Sequence, residues 1–156
     1  MIDADDIDNL LDTLRNAPNR LRDIVAGRDD AELTRAAVGG GWGPVEVFCH
    51  LRDADELFIE RVGRMLTEDD PYMPAVDETL WPIEREYSHQ NPWVALEQFA
   101  ENRVRFTGML SDLSGEQWHR RGHHAELGEQ NILWYAQHAA EHDAMHEQQL
   151  RELLEH

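Results

Sequence analysis

The sequence predicts an all-α protein, a four-helix bundle with long crossover connections. Three observations carry this. Four stretches, near 3–26, 44–67, 92–112 and 131–154, repeat apolar residues at helical spacing. No stretch alternates apolar and polar residues in a way that marks a strand. The breakers Gly27, Gly39, Pro71, Pro74 and Pro82 fall between those stretches. At 156 residues the chain suits one core and is short for two, so a single domain over 1–156 is expected.

The first helix opens on Asp3, Asp5 and Asp6, whose charges suit a helix N-terminus. Ile7, Leu10, Leu11 and Leu14 follow at helical spacing. Pro18 lacks a backbone donor, so a bend or break is expected there, with the pattern resuming at Leu21, Ile24 and Val25 until Gly27. Asp29 to Leu33 suggests one more short helical piece. Gly39, Gly40 and Gly41 read as a hinge before Trp42, expected to anchor the entry to the second helix, and Pro44 fits that helix's first turn. Val45, Phe48, Leu51, Leu57, Ile59 and Val62 give it a wide apolar face.

From Glu68 to Asn91 the periodicity stops, and Trp81 and Tyr87 stand among charges and prolines. Such a long connection either roofs a cavity or covers the bundle's flank with its aromatics. Asn91 and Pro92 look like the cap and first residue of the third helix, which Val94, Leu96, Phe99, Val104, Phe106, Met109 and Leu110 continue. Ser114 and Glu116–Gln117 suggest a brief turn, and 120–130 reads as irregular, with His119, His123 and His124 as exposed loop residues. The last helix begins near Asn131.

Acidic residues outnumber basic ones 32 to 14, for a formal charge of −18. That field repels phosphate backbones and anionic lipid, so neither nucleic acid nor a membrane is expected as a partner. No apolar run approaches the length that spans a bilayer, and MIDADDIDNL lacks the pattern of a signal peptide. With Cys49 alone, no intrachain disulfide can form, and a reducing cytoplasm fits. Cys49 reads as a small buried hydrophobe rather than a reactive thiol.

The chemistry gathers in WYAQHAAEHDAMHEQQL, where His138, His142 and His146 follow at intervals of four. On a helix they form one stripe, with Cβ atoms about 5–6 Å apart, within reach of one divalent ion. The same spacing also suits a solvated face or a hydrogen-bonded set. One helix supplies at most three nitrogens, and His50, in CHLRDADELFIERV, is the candidate from elsewhere; its alternative is a hydrogen-bonded core histidine. Asp53, one turn on, could orient an imidazole or add an oxygen ligand, or be a solvated surface acid.

APNRLRDIVAG, GGWGPVEVFCHLRDAD, RRGHHAELGEQNIL and HAAEHDAMHEQQL together resemble the DinB/YfiT-like family, in its DinB-type four-helix form, over nearly the whole chain. The resemblance implies that one His of the second helix meets two of the last around a divalent metal. On this chain those are His50, His142 and His146, with His138 a second-shell residue or possible fourth contact. It also implies a homodimer, and activities such as thiol-dependent S-transfer with bacillithiol, mycothiol or glutathione, or maleylpyruvate isomerisation.

Three neutral imidazoles leave metal positions open for water or substrate, and a bound water or thiol loses its proton more readily there. Zn and Ni suit imidazole, and Fe is also compatible. The expected function is a metal-dependent enzyme acting on a small molecule, a low-molecular-weight-thiol S-transferase or a hydrolase. The alternatives are a non-catalytic metal-binding or interaction module, and a bundle that binds no metal.

Overall fold

The computed structural model describes residues 2–155; Met1 and His156, the ends of the expected 1–156 domain, lie outside the described residues. Four long helices dominate: α1 (Ala4–Val25), α3 (Pro44–Thr67), α5 (Pro92–Ser111) and α6 (Ile132–Leu154). Short helices α2 (Asp30–Thr34) and α4 (Trp81–Glu84) sit in the connections, with 3₁₀ turns at Glu78–Leu80, Tyr87–His89 and Gln117–His119. The four expected helices therefore agree with the observed ones to within a residue at each end.

Local chemistry sets those ends. The Asp3 carboxylate accepts from the Asp5 N–H, and Asn91 Oδ1 accepts from the Trp93 and Val94 N–H groups. Asn131 Oδ1 does the same for Trp134. Each satisfies an amide donor that the first helical turn leaves without an acceptor. At the start of α3, Glu46 reaches back to the Gly43 N–H at 3.2 Å. Gly43 also lets the incoming chain pass close: a Cβ there would lie 2.2 Å from the Arg35 carbonyl oxygen. Trp42 is thereby held directly before the helix.

Pro18 lies inside α1, and the helix continues through it, so of the bend or break expected there the break does not occur. The physical reason is a substitute donor. The Leu14 carbonyl, which an N–H at position 18 would have served, accepts instead from Arg103 Nη1 at 3.0 Å.

α1 packs on α5 and α6, and α3 packs on the same two, so α1 faces α3 across a diagonal. Two apolar clusters fill the interior. One joins Leu21 and Val25 of α1, Val45–Leu51 of α3, Leu96 and Phe99 of α5, and Leu150 and Leu154 of α6. The other joins Leu11 and Leu14, Phe58 to Met65, Phe106 and Leu110, and Ile132 to Ala139. From which helix ends share a cluster, α1 and α6 run one way and α3 and α5 the other. Because α3 and α5 are parallel neighbours, residues 68–91 must return the length of the bundle, which explains the long crossover. Buried polar and charged residues of α3, α5 and α6 lie between the clusters.

The sheet was not expected. Strand β1 (Tyr72–Met73) pairs parallel to β2 (Arg121–His124), which pairs antiparallel to β3 (Gly128–Asn131). The stretch 120–130 is thus a hairpin and not irregular. Its inward positions on β2 are Gly122 and His124, so burial alternates without any apolar alternation in sequence. His124 is correspondingly buried, not exposed; its Nδ1 accepts from the Glu126 and Leu127 N–H groups and holds the hairpin tip. His119 and His123 are exposed as expected, and Cys49 is buried.

Candidate metal centre

His50 projects from α3 two turns past the Gly43 entry, and His142 and His146 project from one face of α6. They converge in the polar layer between the apolar clusters, where their ligand-type atoms lie within 4.8 Å of one another. His142 Nε2 is 2.9 Å from His50 Nε2 and 3.1 Å from His146 Nε2. A nitrogen of this kind carries either one hydrogen or one lone pair. Only one of the two short contacts can therefore be a linear hydrogen bond, whatever the tautomers. A tetrahedral ion with bonds of about 2.0–2.1 Å would set such nitrogens about 3.3 Å apart. The two short distances thus suit a divalent ion with an adjustment of a few tenths of an ångström, and all three nitrogens lie within 4.8 Å of one another.

The surroundings keep the imidazoles neutral. Burial, reinforced by His146, lowers His50 to about 4 against the pull of Asp53. Burial, then His146, His50, His138 and Arg103, lowers His142 to about 2. Burial also lowers His146, opposed by its hydrogen bond to Gln149 and by Asp143. Charging one ring would place a cation in a desolvated site beside two others. The lone pairs a metal needs are therefore present at neutral pH.

Aromatic rings close the site. Trp42 lies 4.9 Å from the His50 ring and stacks with His146 at 6.2 Å. Trp81, from the 68–91 crossover, approaches His50 at 6.4 Å, so the crossover both roofs the cluster and covers the flank. Phe58 meets His142 edge-on at 6.2 Å. His138 stacks on Trp134 at 4.6 Å and on His142 at 6.0 Å, outside the three-nitrogen cluster.

Asp53 is buried rather than solvated. Its carboxylate takes hydrogen bonds from Arg52 (2.9 Å) and Tyr87 (2.5 Å) and pairs with Arg85 at 3.0 Å. These partners hold it well below the usual carboxylate range despite burial, so it stays charged. It reaches His50 as a nearby negative charge.

Sequence reasoning missed a second buried network. Arg103 donates to Asp55 through Nε and Nη2, both at 2.9 Å, and to Asp143 through Nη2 at 2.9 Å. With the Leu14 carbonyl it ties α1, α3, α5 and α6 together next to His142. Arg103, four residues after Phe99 and three before Phe106 and so on their helix face, was the available signal. Gln149, whose Oε1 lies 2.8 Å from His146 Nδ1, gave no signal in a run of polar residues.

Comparison with known proteins accords with this arrangement. The model of the DinB superfamily matches residues 13–150. Over 143 residues, covering 86% of this chain and 80% of the relative, the chain is 27% identical to "Putative metal-dependent hydrolase YfiT" of Bacillus subtilis. Over 149 residues, covering 93% and 86%, it is 26% identical to "Putative metal-dependent hydrolase BH0277" of Halalkalibacterium halodurans. The solved structure of Bacillus subtilis YfiT, described as a probable metal-dependent hydrolase with an unusual four-helix bundle topology, superposes with a TM-score of 0.83 at 25% identity, over 97% of this chain and 89% of that one. With four helices in that order and a family match across nearly all of them, the chain belongs to the DinB superfamily.

Proposed function

We propose that His50, His142 and His146 hold one divalent metal ion and that the chain is a metal-dependent enzyme for a small-molecule substrate. The observation that carries this is the pair of short contacts at His142 Nε2, of which only one can be a linear hydrogen bond. A cation accepts all three lone pairs at once. Zn or Ni suits the imidazole set best, and Fe is compatible. Bound there, the metal would lower the pKa of a water or thiol placed in an open position.

The chain's own residues set the conditions. Trp42, Trp81 and Phe58 exclude water from the imidazoles, and the Arg103 network fixes the α6 turn that carries His142. Cys49 is no nucleophile: it is fully buried and its thiol is pushed up to about 11 by burial. A cavity of about 470 Å³, lined by Arg35, Pro44, Gln149 and Leu153 among others, has the size of a small-molecule site; Gln149, which bonds His146, connects it to the cluster, and none of the three histidines lines it.

Hydrolysis is favoured by the description of the similar proteins. Transfer to a low-molecular-weight thiol remains the second activity proposed, because an open metal position activates thiol and water alike. Among the described residues no helix is long and apolar enough to cross a membrane. A single domain over 1–156, acting as a cytoplasmic homodimer, completes the proposal, and light scattering should give twice the 18.1 kDa chain mass.

The test is metal analysis of protein purified without an affinity tag, followed by two assays of the metal-loaded form. One offers ester and amide substrates. The other offers monochlorobimane with bacillithiol, mycothiol or glutathione. Metal-dependent turnover in either supports the enzyme. One tightly held ion with no exchangeable solvent and no turnover would favour a structural staple instead.

A further inference from the structure

We propose that Gln149 is a positioning residue for the cluster: it fixes the tautomer of His146 and so decides which ring nitrogen is offered to a metal. This rests on the metal-site reading above. Gln149 Oε1 lies 2.8 Å from His146 Nδ1. An amide oxygen can only accept, so Nδ1 must carry the ring hydrogen. The lone pair of a neutral imidazole then falls on Nε2, the atom 3.1 Å from His142 Nε2.

Two features make this contact decisive. Gln149 follows His146 by three residues on α6, so the helix itself holds the two side chains on one face. His146 is only 6% exposed, so water is a poor substitute acceptor. His50 shows the contrast. Its Nδ1 is buried with no hydrogen-bond partner among the described residues, so no such bond selects its tautomer. His146 and His50 are therefore held by different means, with His146 the one orientated by a polar side chain. Outer partners of this kind set ring orientation and basicity in metal sites.

The experiment has two independent readouts. Long-range ¹H–¹⁵N spectra of the metal-free parent should show His146 as the Nδ1–H tautomer. Gln149→Leu removes the acceptor and should lose that preference, while weakening zinc binding about 10–100-fold in calorimetric titration. Gln149→Glu retains an acceptor and should restore affinity to near the parent's. A parent His146 in the Nε2–H form overturns the proposal, as does a folded Gln149→Leu that binds zinc as tightly as the parent. Should Gln149→Leu not fold, the parent spectrum and Gln149→Glu still decide. If the parent binds no zinc, the metal-site reading fails, while the tautomer spectrum still judges Gln149.

Discussion

Arg103 stands where Pro18 leaves a gap: its Nη1 donates at 3.0 Å to the Leu14 carbonyl, the group an ordinary residue at 18 would have bonded. The same guanidinium neutralises Asp55 and Asp143, all three being at most 2% exposed. Arg103→Met would leave two buried carboxylates without a cation and a buried carbonyl without a donor. Breaking a buried pair from one side costs about 3–5 kcal/mol, and a loss in that range is expected in chemical denaturation. A loss under about 0.5 kcal/mol, the size of an ordinary surface change, would show that the network is not what fixes α6.

Trp42 couples stability to the site. It is half-buried, packs on the apolar cluster and lies against His50 and His146. Full truncation of a buried Trp costs about 3–5 kcal/mol. For this half-buried ring Trp42→Ala should cost about 2 kcal/mol and weaken metal binding together. No change in either the denaturation midpoint or the metal affinity would retire Trp42 as an anchor.

Gly122 tests the hairpin. A Cβ there would meet Met73 Cε at 2.7 Å, Met65 Cγ at 3.2 Å and the Pro71 carbonyl oxygen at 3.2 Å. Gly122→Ala should destabilise by about 1–3 kcal/mol, as overpacking does. Gly115→Ala, with nothing within 4 Å among the described residues, is the control and should stay within about 0.5 kcal/mol. Equal melting temperatures for the two variants would contradict the packing of β2 on α3.

The metal-free protein should lose stability on mild acidification. Folding holds His50 at about 4 and His142 at about 2, against 6.5 in the unfolded chain. Below 6.5 the unfolded chain binds more protons, so stability is full above that pH and falls towards 4 and then 2. Asp55, raised to about 6 by burial, acts in the opposite direction below 6. Two histidines outweigh one carboxyl, so the net loss from pH 7 to 5 should be on the order of 2 kcal/mol, allowing for the partial exposure of His142. A denaturation midpoint that is flat or rising over that interval would contradict neutral burial of the cluster.

The long helices were legible because their apolar faces repeat at helical spacing and Asp3, Asn91 and Asn131 mark their starts. The hairpin was not, since the residues that β2 turns inward are a glycine and a histidine. Pro18 left bend and break open because its effect depends on Arg103, 85 positions away, and no local pattern reveals such a donor. His142 and His146 were readable from their interval of four, whereas bringing His50 to them required the fold. Asp53 could not be placed from sequence, because its burial depends on Tyr87 arriving from the crossover. His124 was misjudged for a similar reason: its partners are the backbone donors of its own tight turn.

Zinc titration into the metal-free parent and its histidine variants tests the central claim most directly. The parent should bind one ion per chain. His50→Ala, His142→Ala and His146→Ala should each abolish stoichiometric binding, because each removes one of three nitrogens. His138→Ala, whose ring only stacks on His142, should weaken binding less, and the exposed His119→Ala should change nothing. If His142→Ala and His146→Ala bind zinc as tightly as the parent, the ion is held elsewhere, and the proposed enzyme loses its metal centre.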